Sequence, residues 1–145
     1  MRKGLIIRRL HCLLTAVLLM IVGAYVAYQY FFNLPPQDFF VSKQKLSDSV
    51  WLYVTKYNDG NATVADFYRF YLDKDEGDTD VMEALKKRTP FMEAKTHSVT
   101  ATAYGNTVNI KITGKIYSFT NSDLFYSDGI AVIPVINLIA NGTRD

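Results

Sequence analysis

Positions 12–32 form a run of 21 residues without a charged side chain, in which only Thr15 and Gln29 are clearly polar. As a helix this run rises roughly 31 Å, close to the hydrocarbon thickness of a bilayer. It predicts a transmembrane helix that ends in an aromatic belt of Tyr25, Tyr28, Tyr30, Phe31 and Phe32, as suits a helix reaching the headgroups. Arg2, Lys3, Arg8 and Arg9 precede the run, whereas the next fifteen or so positions hold only Lys43 and Lys45. The positive-inside bias therefore puts residues 1–11 in the cytoplasm as a basic arm and everything after residue 32 across the membrane.

A signal peptide has a similar outline, and Val22-Gly23-Ala24 offers small residues for cleavage before Tyr25. Apolar character nevertheless continues through Phe32, where a signal peptide has already turned polar, so the expectation is an anchor that is retained. Cys12, the only cysteine, lies in the anchor, so the outer domain must be stabilised by burial and not by a disulfide.

The formal charge of +2 is the sum of two unlike parts. Four of the 16 basic residues lie in the arm, which leaves 12 against 14 acidic residues in the outer part. A slightly acidic domain lacks the clustered Lys and Arg that nucleic acid requires, and nucleic acid is set aside as a partner.

After the anchor, Pro35-Pro36 opens an extended stalk over 33–48, followed by one β-rich domain over 49–145. Residues 49–57 and 62–72 are β-branched and aromatic and flank Asp59-Gly60, a hairpin signal. With that dipeptide at the tip, Trp51 faces Tyr68, Leu52 faces Phe67, and Val54 faces Ala65. A helix from Thr63 is the rival, because Phe67, Phe70 and Tyr71 also recur at helical spacing. Asp73–Asp80 reads as a solvated acidic loop, and Thr79 or Asp80 caps a helix of about three turns ended by Pro90. Over 98–113, a turn at Gly105-Asn106 pairs Val99 with Ile112, Ala101 with Ile110, and Ala103 with Val108. This leaves Thr100, Thr102, Asn109 and Lys111 on a polar face. Further strands are predicted at 115–120 and 130–139, the latter an edge or bulged strand because of Pro134. The class is α+β, mostly antiparallel sheet with one short helix.

Chemistry-bearing motifs are few. The acidic loop carries oxygen ligands of the type calcium takes, but Asp78 and Ala84 stand where an EF-hand loop from Asp73 needs Gly and Glu, so no metal site is expected. His97 is the only imidazole beyond the anchor region, and no nucleophile-elbow, zinc-protease or phosphate-loop pattern occurs; neither an enzyme nor a cofactor is predicted. Asn61-Ala-Thr63 and Asn141-Gly-Thr143 match the glycosylation pattern. The strand pair has more aromatics than one face can hold. Trp51, Tyr53, Tyr68 and Phe70 are accordingly the candidate partner-binding residues, with burial inside the domain as the alternative.

The segments YNDGNATVADFYRFYL and NTVNIKITGKIYSFTN resemble small single-pass proteins of enterobacterial inner membranes, a group without an assigned activity. The resemblance covers most of the outer domain, implies a periplasmic address, and carries over no functional residues. The reading that follows is a bitopic inner-membrane protein whose periplasmic domain contacts another envelope protein, as an immunity or envelope-complex component. The alternative is an exported β-rich domain that binds a small ligand or metal after cleavage.

Overall fold

The computed structural model describes residues 2–32, 37–58 and 66–142. They fall into two compact units, Met1–Pro35 and Pro36–Asp145. The first unit is one helix, α1 (Arg2–Phe32), long and apolar enough over Gly4–Phe31 to cross a membrane. It begins within the basic arm, earlier than the uncharged run. The two clearly polar side chains of that run turn inward on the helix: Thr15 Oγ1 donates to His11 O at 2.8 Å and Gln29 Nε2 to Tyr25 Oη at 3.0 Å. Such local satisfaction is what a segment in hydrocarbon requires of its polar groups.

The second unit has the predicted α+β class. One sheet holds β1 (Gln37–Lys45), β2 (Trp51–Asn58), β3 (Phe67–Asp73), β4 (Met92–Ala94) and β7 (Ile116–Phe119), in that order and all antiparallel. A second sheet has the order β10 (Val135–Asn141), β6 (Thr107–Thr113), β5 (Val99–Tyr104). Between them in sequence, β8 (Phe125–Ser127) and β9 (Ile130–Val132) form a hairpin. One six-residue helix, α2 (Val81–Lys86), follows β3.

The β5–β6 hairpin has the register expected from its alternation: Val99↔Ile112, Ala101↔Ile110 and Ala103↔Val108. Gly105, at φ 58°, supplies the positive φ that a Gly-first two-residue turn demands. Ala101, Val108, Ile110 and Ile112 are buried, while Thr100, Thr102, Asn109 and Lys111 face solvent. The buried face joins Ile136 and packs on Leu52, Val54, Phe70, Leu72, Met92 and Ala94 of the large sheet, with Phe91 and Phe125 completing the core. The other face of β2 and β3 is covered too: Tyr53 and Tyr71 pack with Val81 and Leu85 of α2, and Trp51 lies against them. The two central strands are therefore apolar on both sides because both sides are buried.

Four expectations need correction. The β2–β3 pair is antiparallel, but Leu52 faces Leu72, Val54 faces Phe70 and Trp51 faces Asp73, a register five residues from the expected one. Where both faces are apolar, alternation carries no register information, and a two-residue turn was the wrong constraint. Asp59-Gly60, Asn61, Thr63 and Ala65 lie outside the described residues; Phe67, Phe70 and Tyr71 belong to a strand, not a helix. Residues 37–45, assigned to the stalk, are instead β1, an edge strand paired along β2 with a bulge between Phe40 and Ser42. α2 is shorter than three turns, and Asp80 stands at its N-cap without a side-chain capping bond. The residue before Pro90 is pushed out of helical geometry, and the chain turns away at Lys87.

Pro134 separates β9 from β10, and β10 enters as an edge strand running parallel to β6. The chain passes from β6 to β7, and so between sheets, through Gly114-Lys115. Gly114 has φ +143°, and a Cβ there would sit 3.0 Å from Thr96 Cγ2. Ile110→Ala should cost about 2–5 kcal/mol, because a fully buried side chain leaves a cavity on both sheets. Thr102→Ala, on the wet face, should stay within about 0.5 kcal/mol of wild type, with urea unfolding as the measurement.

Candidate functional site

The four candidate aromatics do not share a surface. Trp51 and Tyr53 lie on the α2 side of the large sheet, Tyr68 and Phe70 on the side facing β5 and β6. Tyr53 and Phe70 are wholly buried, and the Tyr53 hydroxyl bridges Lys74 O at 2.8 Å and the Glu76 amide at 3.0 Å. Tyr68 packs beside the exposed His97 ring, 5.1 Å between centroids, and Trp51 carries Lys43 Nζ 5.4 Å above its ring. A patch built from these four is thus replaced by core and its margins.

The buried and half-buried charged groups around the large sheet are occupied with one another. Asp73, expected in a solvated loop, is the buried last residue of β3. Its carboxylate and that of Asp123 both hold Arg88, each at 2.5 Å, and Arg88 also donates to Leu124 O at 2.9 Å. Asp123 Oδ2 accepts the Leu72 amide at 2.9 Å, and burial holds the Asp123 carboxyl above the usual carboxylate range despite that amide and Arg88. Arg88 thereby ties β3, the α2–β4 connection and the β7–β8 connection together. No sequence spacing announces this, because its partners lie 15 and 35 residues away.

A second cluster sits on the α2 side of the large sheet toward its other end. Arg69 pairs with Asp38 at 3.2 Å and Glu93 at 3.0 Å, and its guanidinium lies 4.1 Å from the Tyr57 ring centroid. Tyr71 Oη donates to Asp38 Oδ2, and burial, with the Asp38 charge adding, pushes its pKa up to about 12. Among the acidic-loop residues, Asp75 accepts the Gly77 amide and Asp78 pairs with Lys43. Asp75 and Asp78 both face Lys43 while Asp73 turns to Arg88, and no group of acidic, His or Cys side chains fit to hold a metal occurs among the described residues.

A set of large apolar side chains remains uncovered. Gln37, where the chain enters the β domain, marks one end of the large sheet. At the opposite end, Tyr104, Leu124, Tyr126, Ile130, Ile133 and Val135 are between 49% and 89% exposed. Asn106 fastens this end: its side chain donates to Ile133 O and its carbonyl accepts the Val135 amide, both at 2.9 Å. Tyr104 adjoins the same turn, and its strand partner Thr107 is also the partner of Val135. Leu124 and Ile133 line a crevice of about 260 Å³ floored by Phe91 and edged by Thr89, Thr120 and Ser122. Beside it, the β8–β9 hairpin turns at Asp128 (φ 51°) and Gly129 (φ 76°), the two positive φ values of a tight hairpin turn. Tyr126 and Ile130 flank that tip. Sequence reasoning missed this region, although Asp128-Gly129 is as strong a turn signal as Asp59-Gly60.

Arg88→Met should destabilise the domain by about 3–5 kcal/mol, since two buried carboxylates lose their common cation. The deficit should narrow in acid. Arg88 lowers the Asp123 pKa against the rise from burial, so its loss raises that carboxyl further, and the variant regains more stability than wild type as pH falls through the raised value toward the unfolded one. Urea unfolding of both proteins across that range measures it; a deficit independent of pH would contradict the buried-charge account.

No protein-family model matches the chain, and neither a curated protein nor a solved structure matches it.

Proposed function

We propose that the chain is a single-pass protein of the inner membrane whose periplasmic domain binds another envelope protein, as an immunity or envelope-complex component, through its apolar end. The observation that carries this reading is the concentration of half-exposed to fully exposed Leu, Ile, Val and Tyr side chains around the Asn106 turn and the β8–β9 hairpin. Single exposed apolar residues need no explanation, but several aromatic and branched side chains gathered at one end of the domain do. The crevice between Leu124 and Ile133 is smaller than most small-molecule sites and suits one inserted side chain of a partner. The charged clusters favour the same reading, because their donors and acceptors are spent inside the domain.

The membrane part rests on the unbroken α1 helix, which continues past Ala24 to Phe32, and on the four basic residues at its start. The chain then acts by contact from a fixed anchor, its domain on the periplasmic side. A reporter active only in the periplasm, fused after Asp145, should be active; activity of a cytoplasmic reporter at that site would reverse the orientation. The intact mass from membranes should include residues 2–24, whereas a soluble species beginning at Tyr25 would support the exported-domain alternative.

The contact surface is tested with a photo-crosslinking amino acid placed singly at Tyr126, Ile130 or Ile133 in the full chain. Discrete protein adducts should form in native membranes from these positions and not from Thr100 or Lys111. Ile133→Asp should abolish the adduct formed at position 126 while shifting the unfolding midpoint little, as an exposed position allows. Equal labelling from the polar face would refute the assignment.

A further inference from the structure

We infer that a second copy of this chain pairs along the free edge of β1. Among the described residues, β1 has β2 on one side and no strand on the other. It is nine residues long, and its middle exposes Phe39, Phe40 and Val41 at 51%, 45% and 38%. A long edge of this kind offers unpaired backbone donors and acceptors to another strand. Its charges are self-complementary. Asp38 stands toward the beginning and Lys43 and Lys45 toward the end, so an antiparallel copy brings opposite charges together twice.

The bulge restricts the register. Pairing with β2 places Asp38 and Phe40 on one face with Tyr57 and Thr55, and Phe39 on the other with Lys56. Past the bulge, Lys43 shares the first face with Tyr53, and Ser42 and Gln44 share the second with Val54 and Leu52. Only registers that keep each pair on one face are allowed. The central one sets Phe40 opposite Val41, Phe39 opposite Ser42 and Asp38 opposite Lys43. There the two bulges lie together on the twofold axis, so the bend of one strand is met by that of the other. An edge bulge ordinarily discourages pairing; this arrangement is the one it tolerates.

The surroundings favour a cation at that place. Arg69 is shared by two carboxylates, Asp38 and Glu93, so the cluster carries one negative charge in excess. Lys43 is free to serve, because its present partners Asp75 and Asp78 are surface groups and such pairs contribute little. Two chains confined to one bilayer also meet at a raised effective concentration, which lets a modest interface assemble. This edge is separate from the apolar end, so its failure would leave the proposed partner site untouched.

The test uses the full chain with Cys12→Ser, in native membranes. One tagged chain carries Phe39→Cys and a differently tagged chain Ser42→Cys. Oxidation should give a mixed disulfide between positions 39 and 42 well above that between two Thr102→Cys chains. Lys43→Glu, which sets a like charge opposite Asp38, should remove most of that product from a domain that its thermal melt shows to be still folded. A 39–42 yield no greater than the Thr102 control would overturn the pairing. So would a yield indifferent to Lys43→Glu, since the register predicts that charge dependence.

Discussion

Burial of the β2–β3 ribbon on both faces is the constraint on which the rest of the domain depends. Leu52, Val54, Phe70 and Leu72 face the small sheet, while Tyr53 and Tyr71 face α2. Without a disulfide in the domain, apolar burial has to hold the layers together, and each face recruits a separate layer. Strands covered on both sides read as continuous apolar runs, and that is how residues 49–57 and 67–72 read. Short elements then suffice around them. The six residues of α2 have little stability as an isolated helix, and Val81 and Leu85 hold them in place by packing on the two tyrosines.

The same ribbon explains why buried charge is present. β3 ends at Asp73, under cover, where a carboxylate cannot remain unpaired. Arg88 neutralises it and is itself held by Asp123, whose second oxygen takes the Leu72 amide. One guanidinium thereby fixes three segments that have no strand pairing with each other at that point. Such a cluster adds little net stability over apolar packing of the same volume, but it penalises every arrangement that separates its members. It gives the region around β8 a defined place, and with it the surface formed by Leu124, Tyr126 and Ile133.

How much of this was legible follows from how each segment is solvated. The β5–β6 hairpin has one wet face, so its sequence alternates and its register could be read residue by residue. The β2–β3 ribbon has none, so its strands were visible and their register was not. β1 was mistaken for a stalk because Pro35-Pro36 suggested an extended tether, and Gln37–Lys45 is polar enough to hide a strand whose outer edge faces water. The Arg88 cluster is wholly a product of tertiary contact. The candidate aromatics are conspicuous for the reason that buries Tyr53 and Phe70: large apolar side chains in a central ribbon are what the core uses. The exposed set at the far end is spread over residues 104–135 and converges only when the Asn106 turn is tied to residues 133 and 135.

The distribution of satisfied and unsatisfied groups finally limits what kind of partner suits this domain. A charged or phosphorylated ligand needs free cations converging on one place, yet Arg69 and Arg88 are each shared between two carboxylates, and Lys56 is paired with Asp66 at 2.6 Å. Recruiting either arginine would uncover its largely buried acids, a cost that a ligand's own ion pairs must exceed. The apolar end carries no such penalty, because covering Tyr104, Ile130 or Ile133 removes apolar surface from water without breaking an ion pair. Under the proposed function, a protein surface with a complementary apolar projection is the partner accommodated at least cost. The proposed anchor would let the domain meet such a surface with part of its translational freedom already surrendered, which lowers the cost of association.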